Sequence, residues 1–174
     1  NVTMAELPAT VHAGAVAHRN ALACVTQGVP QRYHPYLSGI SMSATSKLVS
    51  FVCELDPDAL PAALQDQAVR CVLDLVGVAI AGTRTPMAQI SARFAHEQFA
   101  PGCATVIGSA KPLSVTGATW VNGASASALD MDDGHRMAMG HPGASVIPAA
   151  LAIAERTGAS GRAFLAALVA GYEV

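Results

Sequence analysis

Apolar residues recur at helical spacing in one segment after another, and this repetition constrains the fold of the chain more than any other feature. The clearest segment runs from Val69 to Ile80, where apolar positions share one helix face and Gly82 follows as a stop signal. Aromatic residues make up only 5% of the sequence, which favours closely packed helices over a β-sandwich. We therefore predict an all-α fold, a helical bundle with one short strand or extended piece at 104–108.

Five further helices are predicted from residues that favour helix starts and stops. Their expected starting points are Thr45 or Ser46, Thr85-Pro86, Ser114, Ser145 and Ser160. Gly158 is expected to end the helix that Ser145 caps. The last helix carries an apolar face, which we expect to be exposed because its packing partners are absent; this face consists of Phe164, Leu165 and Leu168.

Residues 1–41 differ in texture from the rest of the chain, because they lack a clear helical period and include a stretch at 27–35 that cannot continue a helix. We interpret residues 1–41 as an upstream or disordered extension, and residues 42–174 as a truncated domain. The first residue is Asn1, and the last residues belong to a helical pattern without a cap, so both ends look cut.

Charge, hydropathy and cysteine spacing exclude several classes of protein. The net charge is −2 and no cluster of Lys and Arg occurs, so nucleic acid is not an expected partner. The longest apolar run, 75–81, is too short to cross a membrane, and no membrane partner is expected. The 4 cysteines form no close pair, which argues against disulfides and zinc and favours a cytoplasmic location.

The connection between two of the predicted helices carries the candidate chemistry. Only 13% of the residues are charged, yet five acidic or imidazole side chains fall within this short stretch; they are Asp130, Asp132, Asp133, His135 and His141. Carboxylates this close repel one another unless a cation, a proton or a ligand offsets their charge. We therefore expect this loop to contain the functional site.

Three roles are open for the aspartates. They can hydrogen-bond loop amides and orient a histidine, take part in proton transfer, or bind a divalent metal. We predict no metal, because a metal-dependent hydrolase usually brings further histidines from neighbouring helices. No glycine-rich nucleotide loop occurs, so no nucleotide cofactor is expected, and no Gly-x-Ser-x-Gly nucleophile motif occurs either.

His141 stands directly before Pro142-Gly143, at the predicted start of a helix. Proline favours an extended conformation for His141, and the amides between Gly143 and Ser145 are expected to lack intrahelical partners. Such a helix end favours anions, so His141 can hold a substrate carboxylate there or exchange a proton with it. The alternative is a histidine that only caps the turn.

From Ser46 to Val174 the chain resembles the MmgE/PrpD family, which includes 2-methylcitrate dehydratase, cis-aconitate decarboxylase and iminodisuccinate epimerase. Each motif is weak alone, but their order and spacing together are specific. The motifs lie at 74–79 with 81–82, 106–108, 122–133, 141–143, 148–152, 158–161 and 171–174.

The resemblance implies a large helical domain built from both ends of a longer chain, with a lid domain inserted from the middle. This chain corresponds to the N-terminal part of the helical domain, and the lid is missing. The implied function is that of a cofactor-independent lyase or isomerase, which moves a proton beside a carboxylate of a small di- or tricarboxylate. A homodimer is implied for the full-length protein.

By the same resemblance, residues 130–141 form one wall of an active site between the two domains. The expected catalytic residues are Asp130, His141 and His135. The expected substrate-binding residues are Asp133, Gly143 and Ser145.

The identity of the substrate stays open, because Gly134 stands where some family members have a threonine or a tyrosine. The family's other active-site lysine and histidine positions lie beyond Val174, so we expect the chain alone to be inactive. Two other classes of function stay open: a helical metal-dependent hydrolase that uses the same loop, and a non-catalytic helical interaction module.

Overall fold

The computed structural model describes residues 44–137 and 139–174. Within these residues the chain forms six helices and one short strand, which confirms the predicted all-α fold. In chain order they are α1 (Ala44–Glu54), α2 (Ala62–Gly82), α3 (Pro86–Gln98), β1 (Pro101–Ala104), α4 (Val115–Ser127), α5 (Pro142–Thr157) and α6 (Gly161–Glu173). Residues 55–174 form one compact unit, and α1 lies outside it. The predicted extension, 1–41, lies outside the described residues.

Several helix ends follow the signals in the sequence. The side chains of Thr85, Ser114 and Ser160 each accept a hydrogen bond from the backbone N–H three residues later, at 3.2 to 3.3 Å. Each bond satisfies one amide that has no partner within the helix. Gly158 adopts a left-handed conformation with φ of 65° and ends α5, as predicted.

Helix α5 begins earlier than predicted. Its first residue is Pro142 and its N-cap is His141, so Ser145 lies within the first turn and does not cap the helix. Proline suits the first helical position, since an N–H there has no intrahelical partner. The early start also puts Pro148 inside the helix, where it cannot donate to the carbonyl of Ala144.

The single described strand lies before the predicted one. Strand β1 ends at Ala104 and forms antiparallel bridges with Leu113, whereas residues 105–107 have no strand partner. Only Ala104 of the predicted segment belongs to a strand, so the strand alternative for 104–108 is wrong.

Side chains from α4 and α5 form hydrogen bonds with the backbone of residues 105 and 107. Asn122 on α4 donates from Nδ2 to the Thr105 carbonyl oxygen, and its Oδ1 accepts the Ile107 N–H, both at 2.8 Å. Glu155 on α5 accepts the Thr105 N–H at 2.7 Å. A chain segment whose groups are bound in this way needs no neighbouring strand.

Two apolar clusters form the core, and α4 and α5 contribute to both. One cluster joins them to α3 and to the segment around β1, and the other joins them to α2 and α6. Helix α2 crosses α4 so closely at Gly82 that a methyl group there would overlap the Ser125 carbonyl. Gly82 is thus needed for helix contact, and Thr83 provides the C-cap.

The burial of α2 and α6 differs from the expectation. On α2, Leu73 and Ile80 are 68% and 55% exposed, while Leu75 is buried. On α6, Leu168 is 1% exposed and Phe164 packs against the same core cluster. The expected exposure of the last helix is wrong, because α2 and α5 supply its packing partners.

Within the described residues, no single helix is long and apolar enough to cross a membrane. Helices α2 and α3 reach the required length and apolar composition only when taken together, and the two helices are bent by 91° relative to each other.

Candidate active site

The predicted site lies on the loop that joins α4 to α5. The centre of this loop closes on itself, because the His135 N–H donates to the Gly140 carbonyl oxygen at 2.8 Å. Asp130 has a φ of 53°, in the left-handed region that aspartate enters more readily than most residues. The loop therefore turns sharply at Asp130 before it continues towards His141.

The ring of His141 is oriented by Asp132. Its Nδ1 lies 3.2 Å from the Asp132 carbonyl oxygen and 3.3 Å from Asp132 Oδ1. Since a carbonyl oxygen can only accept, a hydrogen bond at this contact requires the proton on Nδ1. The neutral ring then has its lone pair on Nε2.

Asp132 is the buried member of the acidic cluster. Its side chain is 1% exposed, and among the described residues its Oδ2 has no hydrogen-bond partner. An ionised carboxylate in such a place interacts strongly with a nearby positive charge. The buried Asp132 carboxylate therefore lies directly against Nδ1 of the His141 ring.

Asp130 lies on the other side of the same ring. Its Oδ1 is 3.6 Å from His141 Nε2, which is too long for a hydrogen bond but suits an ion pair with a protonated ring. The side chains of Asp130 and His141 are 91% and 43% exposed. Nε2 therefore lies between an exposed carboxylate and solvent, where a ligand can reach it.

An open depression of about 320 Å³ lies beside the His141 ring. His135 lines the same depression, and so does Arg136, which supplies a positive charge. The other lining residues are Gly134, Met139 and Gly140. A planar guanidinium is well suited to bind a carboxylate with two hydrogen bonds.

Asp133 connects the loop to the helix that follows it. Its Oδ1 accepts the Gly143 N–H at 2.9 Å, and its Oδ2 accepts the Tyr172 hydroxyl at 2.7 Å. A carboxylate beside the N-terminus of α5 also interacts favourably with the helix dipole. A protein carboxylate thus takes the position that we expected for a substrate carboxylate.

The hydroxyl of Tyr172 is held in its protonated form. Burial raises its pKa, and the hydrogen bond to Asp133 and the charge of that carboxylate raise it further. Smaller contributions come from Cys71. Tyr172 therefore stays a hydrogen-bond donor throughout the neutral pH range.

The structure places the six predicted site residues in three settings. Asp130 and His141 face each other, and His135 shares the depression with His141. Asp133 and Gly143 are bonded to each other, and Ser145 is exposed within α5. Contact with a substrate stays a prediction for all of them.

Three residues that contribute to the site were not among the six predicted site residues. Asp132 could not be separated from its acidic neighbours, because its burial depends on the fold. Arg136 had no distinctive spacing. Tyr172 did carry a signal: it follows Leu168 by four positions, so it shares the buried face of α6.

Comparison with known proteins agrees with the motifs. The model of the MmgE/PrpD N-terminal domain matches residues 46–174. A curated relative, the cis-aconitate decarboxylase-like protein oryM of Aspergillus oryzae, is 30% identical over 138 residues, which are 75% of this chain and 29% of that protein. The chain thus spans about three-tenths of the length of this relative.

No solved structure matches the chain. The family match covers most of the chain, including every residue of the loop and the Tyr172 contact. The chain belongs to the MmgE/PrpD family.

Proposed function

We propose that this chain supplies one wall of the active site of a cofactor-independent lyase or isomerase. The substrate is a small di- or tricarboxylate, and the reaction moves a proton on a carbon beside a carboxylate. Family membership and the cis-aconitate decarboxylase-like relative support this class of reaction. A cytoplasmic location and a homodimeric full-length protein are part of the same proposal.

One observation carries the proposal: Asp132 orients the ring of His141 so that its basic nitrogen faces an accessible surface. In the proposed reaction, His141 Nε2 removes the proton from the substrate carbon. The resulting positive ring is stabilised by Asp132 at Nδ1 and by Asp130 near Nε2. Asp132 does not touch the substrate, so we assign it a positioning role.

The substrate carboxylates need cationic partners. Arg136 is the described cationic residue that lines the depression, and we assign it to one substrate carboxylate. His135 lines the same depression and is assigned to a second proton transfer. A general acid or base of this kind typically contributes about 10²- to 10⁴-fold to a rate.

The test uses the full-length protein that contains this chain, assayed on cis-aconitate, 2-methylcitrate and iminodisuccinate. His141→Asn is expected to lower kcat by about 10²- to 10⁴-fold on whichever compound reacts. The matched control is His96→Asn, because His96 is an exposed histidine on α3, remote in sequence from the loop. Equal activity of the two variants would show that His141 is not the base.

A metal site is a second candidate, because the geometry offers one specific observation for it. Ligand atoms of Asp130, Asp132 and His141 lie within 4.8 Å of one another. A nitrogen and two carboxylate oxygens suit Zn²⁺ or Mn²⁺, and Asp132 Oδ2 has no hydrogen-bond partner among the described residues. A metal-dependent hydrolase would use these residues as ligands.

Calorimetric titration of the full-length protein with Zn²⁺ and Mn²⁺ separates the two candidates. The proton-transfer proposal predicts no stoichiometric binding and no loss of activity after treatment with a chelator. Stoichiometric binding that Asp132→Asn abolishes, together with activity that the chelator removes, would support the metal-dependent alternative.

A further inference from the structure

Two hydrogen bonds through Asp133 link the last helix to the loop that carries His141. Tyr172 lies on α6, 39 residues after Asp133, and their side chains form a hydrogen bond of 2.7 Å. The second oxygen of Asp133 accepts the N–H of Gly143 at 2.9 Å. Asp133 therefore joins the loop to the first turn of α5 and to the last turn of α6.

These contacts are tightly packed. A methyl group on Gly143 would lie 2.8 Å from the Tyr172 hydroxyl oxygen and would overlap Asp133 Oδ1. Real side-chain carbons do not approach other atoms so closely, so the arrangement depends on glycine at this position. We call the set of Asp133, Gly143 and Tyr172 the α5 clamp.

Because of the α5 clamp, the His141 side chain is not needed to cap α5. His141 is the N-cap of α5, but its side chain makes no capping hydrogen bond. Asp133 satisfies the Gly143 amide instead. The His141 ring is therefore available to Asp132 and to the open surface.

We propose that Tyr172 is a positioning residue, which acts through Asp133 and Gly143 to fix the start of α5 and hence the orientation of the His141 ring. This inference rests on the proposed function, because it gives the clamp a task in the same proton transfer. Only one residue separates Gly143 from His141, so movement of the first turn moves the ring. A misplacement of about 1 Å can lower a rate by roughly 10²-fold.

The experiment replaces Tyr172 with Phe in the full-length protein, which removes the hydroxyl and keeps the aromatic ring. The first readout is the tautomer of His141, measured by long-range ¹H–¹⁵N NMR of protein with ¹⁵N-labelled histidine. Its signal is assigned with His141→Asn. We expect the Nδ1-protonated form to predominate in the unchanged protein and a mixture of tautomers in Y172F.

The second readout is steady-state kinetics. We expect kcat of Y172F to fall by roughly 10- to 100-fold, with KM changed less than 3-fold, because the ring acts in the chemical step. Ser160→Ala is the matched control: it removes the N-cap of α6 without touching the clamp. S160A should leave the tautomer of His141 and kcat unchanged.

An unchanged tautomer ratio in folded Y172F overturns the proposal, whatever the activity. If S160A shifts the tautomer ratio as Y172F does, the effect is one of helix stability and the proposal also fails. If Y172F does not fold, Gly143→Ala tests the clamp from the α5 side and is expected to produce the same mixture of tautomers. A shifted tautomer ratio with no activity of the unchanged protein on any carboxylate supports the clamp and contradicts the proposed function.

Discussion

At the scale of single residues, the loop gives three neighbouring aspartates three different environments. Asp130 faces His141 Nε2 from the solvent side, and Asp132 holds Nδ1 from the buried side. Asp133 turns away from that ring to Gly143 and Tyr172. Chemically identical side chains thus acquire different contacts from their surroundings.

Tyr172 makes the stability of the chain depend on pH in the alkaline range. The ordinary pKa of a tyrosine is about 10, and burial together with Asp133 raises that of Tyr172 above this value. Above pH 10 the unfolded chain therefore releases a proton that the folded chain keeps, and stability falls as pH rises. Below pH 10 this contribution is fully present.

Urea unfolding of the chain and of Tyr172→Phe from pH 8 to pH 11.5 measures this contribution. The difference in unfolding free energy between the two proteins should be constant below about pH 9.5 and should shrink above about pH 10. Groups that titrate in both proteins cancel in this difference. A difference that stays constant up to pH 11.5 would contradict the raised pKa.

At the scale of elements, small residues decide how closely the helices pack. Gly82 on α2 lies against the backbone of α4 at Ser125, and Gly171 on α6 lies against Val146 on α5. Alanine is the commonest side chain among the buried apolar residues. Close contact between helix backbones compensates here for the scarcity of large aromatic side chains in the core.

Replacing either of two glycines of α2 with alanine should change the free energy of unfolding, but in opposite directions. Gly82→Ala should lower the free energy of unfolding by about 1–3 kcal/mol, because the new methyl group overlaps the Ser125 carbonyl. Gly77→Ala should raise it by about 0.5–1 kcal/mol, since nothing lies within 4 Å of the new methyl group and alanine favours a helix.

Chemical denaturation of both variants tests this contrast, and each variant controls for the other because both carry the same substitution on one helix. Destabilisation of similar size in both would show that the close contact of α2 with α4 is not the cause.

Sequence signals were sufficient where a helix end depends on its immediate neighbours. Thr85, Ser160 and Gly158 are such cases, since their conformations and hydrogen bonds involve residues at most four positions away. The same reasoning failed for Ser145, because the start of α5 is stabilised by Asp133, which lies in the loop ten residues before Gly143. Local patterns do not contain such long-range partners.

The candidate site was predictable in part for the same reason. The clustering of Asp130, His135 and His141 is visible in the sequence, and these residues do lie on one loop. The burial of Asp132 was not visible, nor was the contact with Tyr172, because both depend on how α5 and α6 pack.

At the scale of the whole molecule, α2 and α3 carry several of the exposed apolar side chains. Leu73, Ile80 and Ile90 are each more than half exposed. Exposed apolar side chains commonly mediate association where they form one surface. Because α6 is packed against α2 and α5, we expect association of the chain to involve α2 and α3 instead.

The isolated segment 42–174 should be inactive and should self-associate. His141 is 43% exposed, and water around an open half-site weakens the electrostatic contacts that stabilise a transition state. Activity assays on the three carboxylates test the expected inactivity, and sedimentation velocity tests the expected self-association. Turnover by the segment comparable to that of the full-length protein would show that one wall is sufficient.

Leu73→Gln with Ile90→Gln should reduce the association of this segment, whereas Met137→Gln should not. Met137 is a suitable control because it is 91% exposed but lies on the loop, away from both helices in the sequence. Association that the paired substitution leaves unchanged would assign it to another surface.

The carboxamide of Asn122 fixes which residues of the connection between α3 and α4 lie against α4. A strand offers a repeating row of donors and acceptors, so a neighbour can slip along it by two residues and still pair. Asn122 offers a single donor and acceptor pair, which fits Thr105 and Ile107 at one setting only. The connection therefore has one allowed alignment on α4, and a slip by two residues would leave buried polar groups of Asn122 unpaired.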